Sequence, residues 1–231
     1  MAIFALGDLH LSFGTDKSMD VFGSRWENYT EKIYDGWQSI VSEDDLVIIP
    51  GDVSWATYLE DAVRDFEFIQ GLNGKKVIIK GNHDYWWTTL KKMEEFLVEN
   101  NFDSIKILNN TAIAFEDAAI CGTRGWSIQE NNDESDEKII DREKKRLVLA
   151  LEEAAKFKKE RLIVGIHYPP FNYAGQENGF LEIMRNYDVD TCVYGHLHSF
   201  AHKNAVEGDF GGVSLRLVAG DFVDFKPVLI G

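Results

Sequence analysis

Short apolar runs alternate with longer amphipathic stretches over most of the chain. The runs at 3–6, 46–49, 76–79, 120–122, 162–166 and 191–194 are almost unbroken by polar side chains, the mark of strands covered on both faces. Helical patterns fill 26–41, 58–70, 88–100 and 137–158. The last places Ile139, Ile140, Leu147, Leu151, Ala154 and Ala155 between charges as an apolar stripe. After His198 the pattern changes, and 213–219 and 227–230 read as strands with no helix between them. The order is β-α-β-α at first and mostly β at the end, which predicts an α/β fold in one domain over 1–231. The acidic stretch 130–137 reads as a solvated loop before a helix, and a lid or insert is expected around 124–146.

The residues just past the strands carry the chemistry. The first run leads to Asp8 and His10, the second to Asp52, the third to Asn82 and His83. The run at 162–166 leads to His167, and that at 191–194 to His196 and His198. Five of the six histidines thus stand where open α/β sheets form their sites. Gly7, Gly51, Gly81 and Gly195 precede four of these groups, so positive φ or close backbone approach is expected there. The donors are carboxylate, amide oxygen and imidazole, with no thiolate. That set suits Mn²⁺ first, with Fe or Zn²⁺ as alternatives. Seven donors are too many for one catalytic metal with an open position. They suit two metals ~3.5–4 Å apart, bridged by one carboxylate and a hydroxide.

Composition narrows the partners. With 24 basic and 39 acidic side chains the net charge is −15, against general nucleic-acid binding, which needs Lys and Arg to displace counterions. A phosphate-bearing substrate stays open, because two dications reverse the local field. Cys121 and Cys192 lie in apolar runs and read as buried reduced thiols of a cytoplasmic protein. The N-terminal MAIFALGDLH reads as a first core strand rather than a signal peptide. No apolar run approaches the ~20 residues of a membrane helix.

The ordered set DLH, GD, GNHD, H and GHLH resembles the calcineurin-like metallophosphoesterase superfamily, from position 8 to position 198. Each piece alone is weak; all five in this order, each after a β run, make the resemblance strong. It implies a four-layer αββα sandwich of two mixed sheets flanked by helices. It implies that Asp8, His10 and His198 hold one metal, that Asn82, His167 and His196 hold the second, and that Asp52 bridges. His83 would face the substrate, steadying the transition state or protonating the leaving oxygen, while a metal-bridging hydroxide attacks phosphorus. The activity implied is hydrolysis of a small phosphomonoester or phosphodiester. The chain departs from the Ser/Thr protein phosphatase branch: after Asp52 it reads VSWAT, with Trp55 and Ala56 where that branch carries a second Asp and an Arg. That branch is therefore set aside, and phosphate grip must come from elsewhere. Arg124 is the first candidate, then Lys17 and Arg25, with Asn172 and Tyr173 in the loop after His167. Asp84 either orients His83 or satisfies its own turn, and Asp221 in AGD reads as a turn after a strand. The rival function is a non-catalytic interaction scaffold on the same fold, which loss of His83 or of several donors would favour. Neither loss occurs.

Overall fold

The structure is a computed structural model that describes residues 1–128, 132–172, 176 and 178–230. Its strands in chain order are β1 Ile3–Ala5, β2 Leu46–Pro50, β3 Lys75–Ile79, β4 Ile105–Leu108, β5 Ala112–Phe115, β6 Ala118–Thr123, β7 Arg161–Ile166, β8 Thr191–Tyr194, β9 Gly208–Phe210, β10 Val213–Leu217 and β11 Val228–Leu229. The α-helices are α1 Tyr29–Gln38, α2 Val63–Gln70, α3 Leu90–Glu99, α4 Glu134–Ala154 and α5 Gly179–Asn186. One sheet runs β11-β1-β2-β3-β4 and the other β5-β6-β7-β8-β10-β9. Both have a parallel centre; β11 in one sheet and β5 and β9 in the other pair antiparallel.

Period-two alternation assigns each strand residue to a layer. Ile3, Ala5, Leu46, Ile48, Val77 and Ile79 pack between the sheets against Ile120, Ile163 and Val193. Their neighbours Phe4, Leu6, Val47, Ile49 and Ile78 face outward onto Ile33, Trp37, Phe66, Met93 and Phe96 of α1, α2 and α3. On the second sheet Ala119, Cys121 and Val164 face outward onto Leu147, Leu151 and Phe180 of α4 and α5. The result is helix, sheet, sheet, helix, the four-layer sandwich expected.

The differences from expectation have local reasons. Helix α4 begins at Glu134, three residues early, because Asp133 caps it with a reciprocal Asp136 contact and Glu134, Asp136 and Glu137 suit its N-terminal dipole. From Ile140 onward its buried residues lie on the sheet; residues 129–131 of the expected insert lie outside the described residues. The edge strands β4, β5 and β9 and the short helix α5 had no strong periodic signal. The first pattern, 26–41, shortens to α1 because Ser24–Trp26 forms a 3-10 turn. Likewise 59–62 is a 3-10 turn leading into α2. Among the described residues no helix is long and apolar enough to cross a membrane.

Candidate metal centre

The site lies beyond the carboxyl ends of β1, β2, β3, β7 and β8. The loops after β1 and β2 run side by side, with Asp8 N donating to Gly51 O, His10 N to Asp52 O and Leu11 N to Val53 O, each at 2.9 Å. The donor residues themselves take the unusual backbone: φ is +55° at Asp8, +44° at His10, +52° at Asp52 and +72° at His196. Left-handed φ in non-glycine residues is uncommon and persists where the surroundings impose it, so these four side chains are aimed by strained backbone. Of the four expected glycines, only Gly51 has positive φ. Gly81 and Gly195 serve close approach instead: a Cβ would run into the Asp52 carboxylate at Gly81 and the Asp8 carboxylate at Gly195.

Two groups of side chains converge on either side of Asp52. In the first, Asp8 Oδ1 lies 3.3 Å from His198 Nε2, and His198 Nε2 lies 3.3 Å from His10 Nε2. In the second, Asn82 Oδ1 lies 2.7 Å from His167 Nε2 and 2.8 Å from His196 Nδ1. Asp52 Oδ2 sits between, 3.7 Å from His10 Nε2 and 3.5 Å from His167 Nε2. All seven residues brought forward by the sequence as metal donors thus meet at one place. Asp8, His10, Asp52 and His167 are buried, while Asn82, His196 and His198 are partly so.

The outer contacts decide which ring nitrogens point inward. His167 Nδ1 is 3.0 Å from Pro50 O, so it carries the proton and leaves Nε2 a lone pair facing Asn82 and Asp52. His198 Nδ1 is 2.7 Å from Asp221 Oδ1, which likewise frees Nε2. Asp221 is buried, also accepts from Ser199 N at 3.0 Å, and lies 3.3 Å from His202 Nε2. Its role is therefore more than a turn: it holds a site histidine. The AGD pattern was the only sequence signal for it. His202, given no role from sequence, packs against the same carboxylate.

The electrostatics fit a cation. Burial pushes the His167 and His196 imidazoles down to about 3, and it lowers His10 well below its usual range with help from His198. These rings are neutral lone-pair donors. Against the burial that would lower it, Asp8 and the Asp221 hydrogen bond push His198 up to about 10. Burial, then Asp8 and Asp84, raises Asp52 well above the carboxylate range. The positive charge in this group is then the His198 imidazolium, and a divalent ion would take the place of the proton on its Nε2.

His83 stands beside this group. Its backbone N–H donates to Asp52 Oδ1 at 2.8 Å, so the loop that carries it is tied to the central carboxylate. Its ring lies 4.5 Å from Trp55, 5.7 Å from His10 and 6.1 Å from Tyr85, centroid to centroid. Its Nδ1 is buried with no hydrogen-bond partner. Burial, then His198, keeps the imidazole below its usual range. Asp84 does not orient it. That buried carboxylate accepts from the backbone of Asp52, Val53, Ser54 and Gly81 and from Trp86 Nε1, which stitches the GD and GNHD turns together. The ring is steadied by Trp55, at the position where the protein phosphatase branch carries an Asp.

The proposed phosphate-gripping residues are spread around the centre. Lys17 Nζ lies 5.0 Å over the Trp55 ring, near His83. Arg25 Nη1 donates to Asp221 O at 2.9 Å, behind His198. Arg124 lies on the other side; its carbonyl accepts from His167 N and Tyr168 N at 3.1 Å, and its guanidinium stacks 4.6 Å over Trp126. Asn172 lines a recess beside His196, and its side-chain amide donates to Gln176 Oε1 at 3.1 Å. Tyr173 lies outside the described residues.

Residues 1–200 match the family model described as calcineurin-like phosphoesterase. No curated protein matches the sequence significantly. A phosphopantetheinyl hydrolase from Mycobacterium tuberculosis shares the fold with a TM-score of 0.60 at 12% identity, covering 99% of this chain and 95% of that one. A protein from Thermus thermophilus does so with a TM-score of 0.57 at 11% identity, covering 99% and 97%. A protein of unknown function from Aquifex aeolicus gives 0.52 at 13%, covering 99% and 95%.

Proposed function

The chain belongs to the calcineurin-like phosphoesterase family, and we propose that it is a dinuclear metal-dependent hydrolase of a small phosphomonoester or phosphodiester. The observation that carries this reading is the position of Asp52 Oδ2, within 3.7 Å of one donor group and 3.5 Å of the other. Asp8, His10 and His198 would hold one divalent ion, Asn82, His167 and His196 the other, and Asp52 both. Mn²⁺ is the first choice for this oxygen and imidazole set, with Fe or Zn²⁺ as alternatives. When bound, the two ions supply a water acidic enough to attack at neutral pH and neutralise charge on the phosphoryl oxygens.

The chain's own residues supply the rest. His83, beside the donors yet not among them, presents its imidazole to the ester and donates a proton to the leaving oxygen. An alkoxide is a poor leaving group, so this donation matters most for alkyl esters. Trp55 packs on the His83 ring and sets its direction. Pro50 and Asp221 hold the tautomers of His167 and His198.

The test is hydrolysis of nitrophenyl phosphate and its bis-ester by metal-stripped protein after addition of Mn²⁺, followed by a panel of alkyl esters. A phosphopantetheinyl ester belongs in that panel, given the name of the Mycobacterium tuberculosis enzyme of like fold. Metal-dependent turnover is expected. Absence of turnover with every divalent ion, on every mono- and diester, would overturn the reading.

A further inference from the structure

Beyond the Asn82 and His167 side of the centre lies a group of cations that the reaction as described does not use. Lys80 follows β3 and stands two residues before Asn82. Arg124 follows β6 and is joined to His167 by a backbone hydrogen bond of 3.1 Å. Arg142 and Arg146 reach over from α4. Asp84 lies within electrostatic reach of Lys80, and the three arginines share Glu143, which is fully buried.

That carboxylate is heavily shared. Its Oε1 lies 2.6 Å from Arg146 Nη1, 3.5 Å from Arg124 Nη2 and 3.8 Å from Arg142 Nε. Its Oε2 takes the Thr123 hydroxyl at 3.1 Å. The short contact to Arg146 lies within α4 itself, while Thr123 and, at 3.5 Å, Arg124 tie Glu143 to the end of β6. Arg124 keeps Nε buried with no hydrogen-bond partner, so its planar fork is only partly filled. The Lys80 ammonium makes no hydrogen bond or ion pair among the described residues, and it lies within electrostatic reach of Arg124 and Arg146. The other carboxylates nearby are taken: Asp136 by Trp126 Nε1 at 3.1 Å, Asp84 by the backbone of the GD turn. Four cations against Glu143, Asp84 and Asp136 still leave a local excess of positive charge, in a chain whose net charge is −15. Uncompensated like charges held together, with unfilled donors, call for an anion.

The cluster also shares a wall with the centre. The Arg124 guanidinium lies on Trp126, the Trp126 ring is 5.4 Å from Tyr168, and Tyr168 is 4.3 Å from His196. His83 is at the opposite side, against His10 and Trp55. In a phosphodiester or anhydride whose leaving group meets His83, the non-leaving substituent points away from it, toward the arginines.

We propose that Lys80, Arg124 and Arg146 form a subsite for a second phosphate of the substrate, carried on the part that points away from His83. This rests on the phosphoesterase reading above and adds a substrate class to it: phosphodiesters or anhydrides that carry a second phosphate on the non-leaving part. Arginine forks match phosphate oxygens in pairs, which favours phosphate over a single carboxylate.

The test is calorimetric binding to the Mn²⁺-loaded protein of α,ω-alkylene bisphosphonates of graded spacer length, each against the alkylphosphonate of the same length. One spacer is expected to give a bisphosphonate about tenfold or more tighter than its partner, the worth of one or two charge-assisted bonds. That ratio should fall to within about threefold in Arg124→Gln and in Arg146→Gln, and Arg124→Lys should restore part of it. Lys80→Gln provides the same readout without touching the Glu143 network, should either arginine variant fail to fold. A ratio near one at every spacer, or a ratio unchanged in the variants, overturns the subsite. Turnover of nitrophenyl phosphate is followed in parallel. Its absence counts against the phosphoesterase reading, whereas turnover without any bisphosphonate preference counts against the subsite alone.

Discussion

His167 and His198 stand on opposite sides of Asp52 and are held by unlike partners. His167 gives its Nδ1 proton to a main-chain oxygen, Pro50 O at 3.0 Å; His198 gives its own to a buried carboxylate, Asp221 at 2.7 Å. The first partner carries no net charge, and burial pushes the imidazole down to about 3. The second carries a full charge, and with Asp8 it outweighs burial and pushes the imidazole up to about 10. The two sides therefore present similar donor atoms under opposite electrostatics. The surroundings extend the contrast, since Arg124 and Lys80 stand behind the Asn82 side and Asp221 behind the Asp8 side.

Four substitutions probe this contrast. Asp52→Asn should have the largest effect, because one carboxylate serves both groups. Metal content measured per chain should fall on both sides, and activity should drop by more than the ~10–100-fold typical of an outer contact. Loss of one ion alone would contradict the shared role. His83→Ala should keep both ions and lose ~10²–10⁴ in rate on an alkyl ester, with a smaller loss on a nitrophenyl ester. Loss of metal in that variant would place His83 among the donors instead. Asp221→Asn separates the two sides most directly. Metal affinity should fall ~10–100-fold for the Asp8, His10 and His198 group and stay unchanged for the other. Equal weakening of both sites in calorimetric titration would mean the outer contacts do not act locally. Trp55→Leu should be mildest, about 2–10-fold in kcat on the alkyl ester with metal retained, the worth of one aromatic contact. A loss as large as that of His83→Ala would assign Trp55 a role beyond positioning.

Much of this arrangement is legible along the chain. The buried strands announce themselves as unbroken apolar runs, and the polar residues that follow them are the ones that meet. The edge strand Ala112–Phe115 carried a weaker signal because three of its four residues are not fully buried, so no period stands out. Helix α5 is only eight residues long and gives little periodicity. Asp221 was visible in AGD but indistinguishable from an ordinary turn, since only its distance to His198 reveals its partner. Of the two roles expected of these glycines, close approach holds at Gly81 and Gly195 and positive φ only at Gly51. Glycines stand where backbone and carboxylate crowd together, while the left-handed φ falls on Asp8, His10, Asp52 and His196 themselves.

The sequence by itself determined the order of the central hydrophobic segments along the chain, the seven candidate donor residues and the placement of His83 next to Asn82. These follow from local rules: period, turn chemistry and the kinds of atom each side chain offers. Only the tertiary structure decided that Trp55 packs against His83 and that Asp221 and Pro50 orient the rings of His198 and His167. It alone brought Arg124 to the buried Glu143 of α4. Such facts depend on contacts between segments as much as 196 residues apart, as in the bond from Arg25 to Asp221. No local pattern encodes a distance of that kind; the packing of two sheets and the strained turns at their ends produce it.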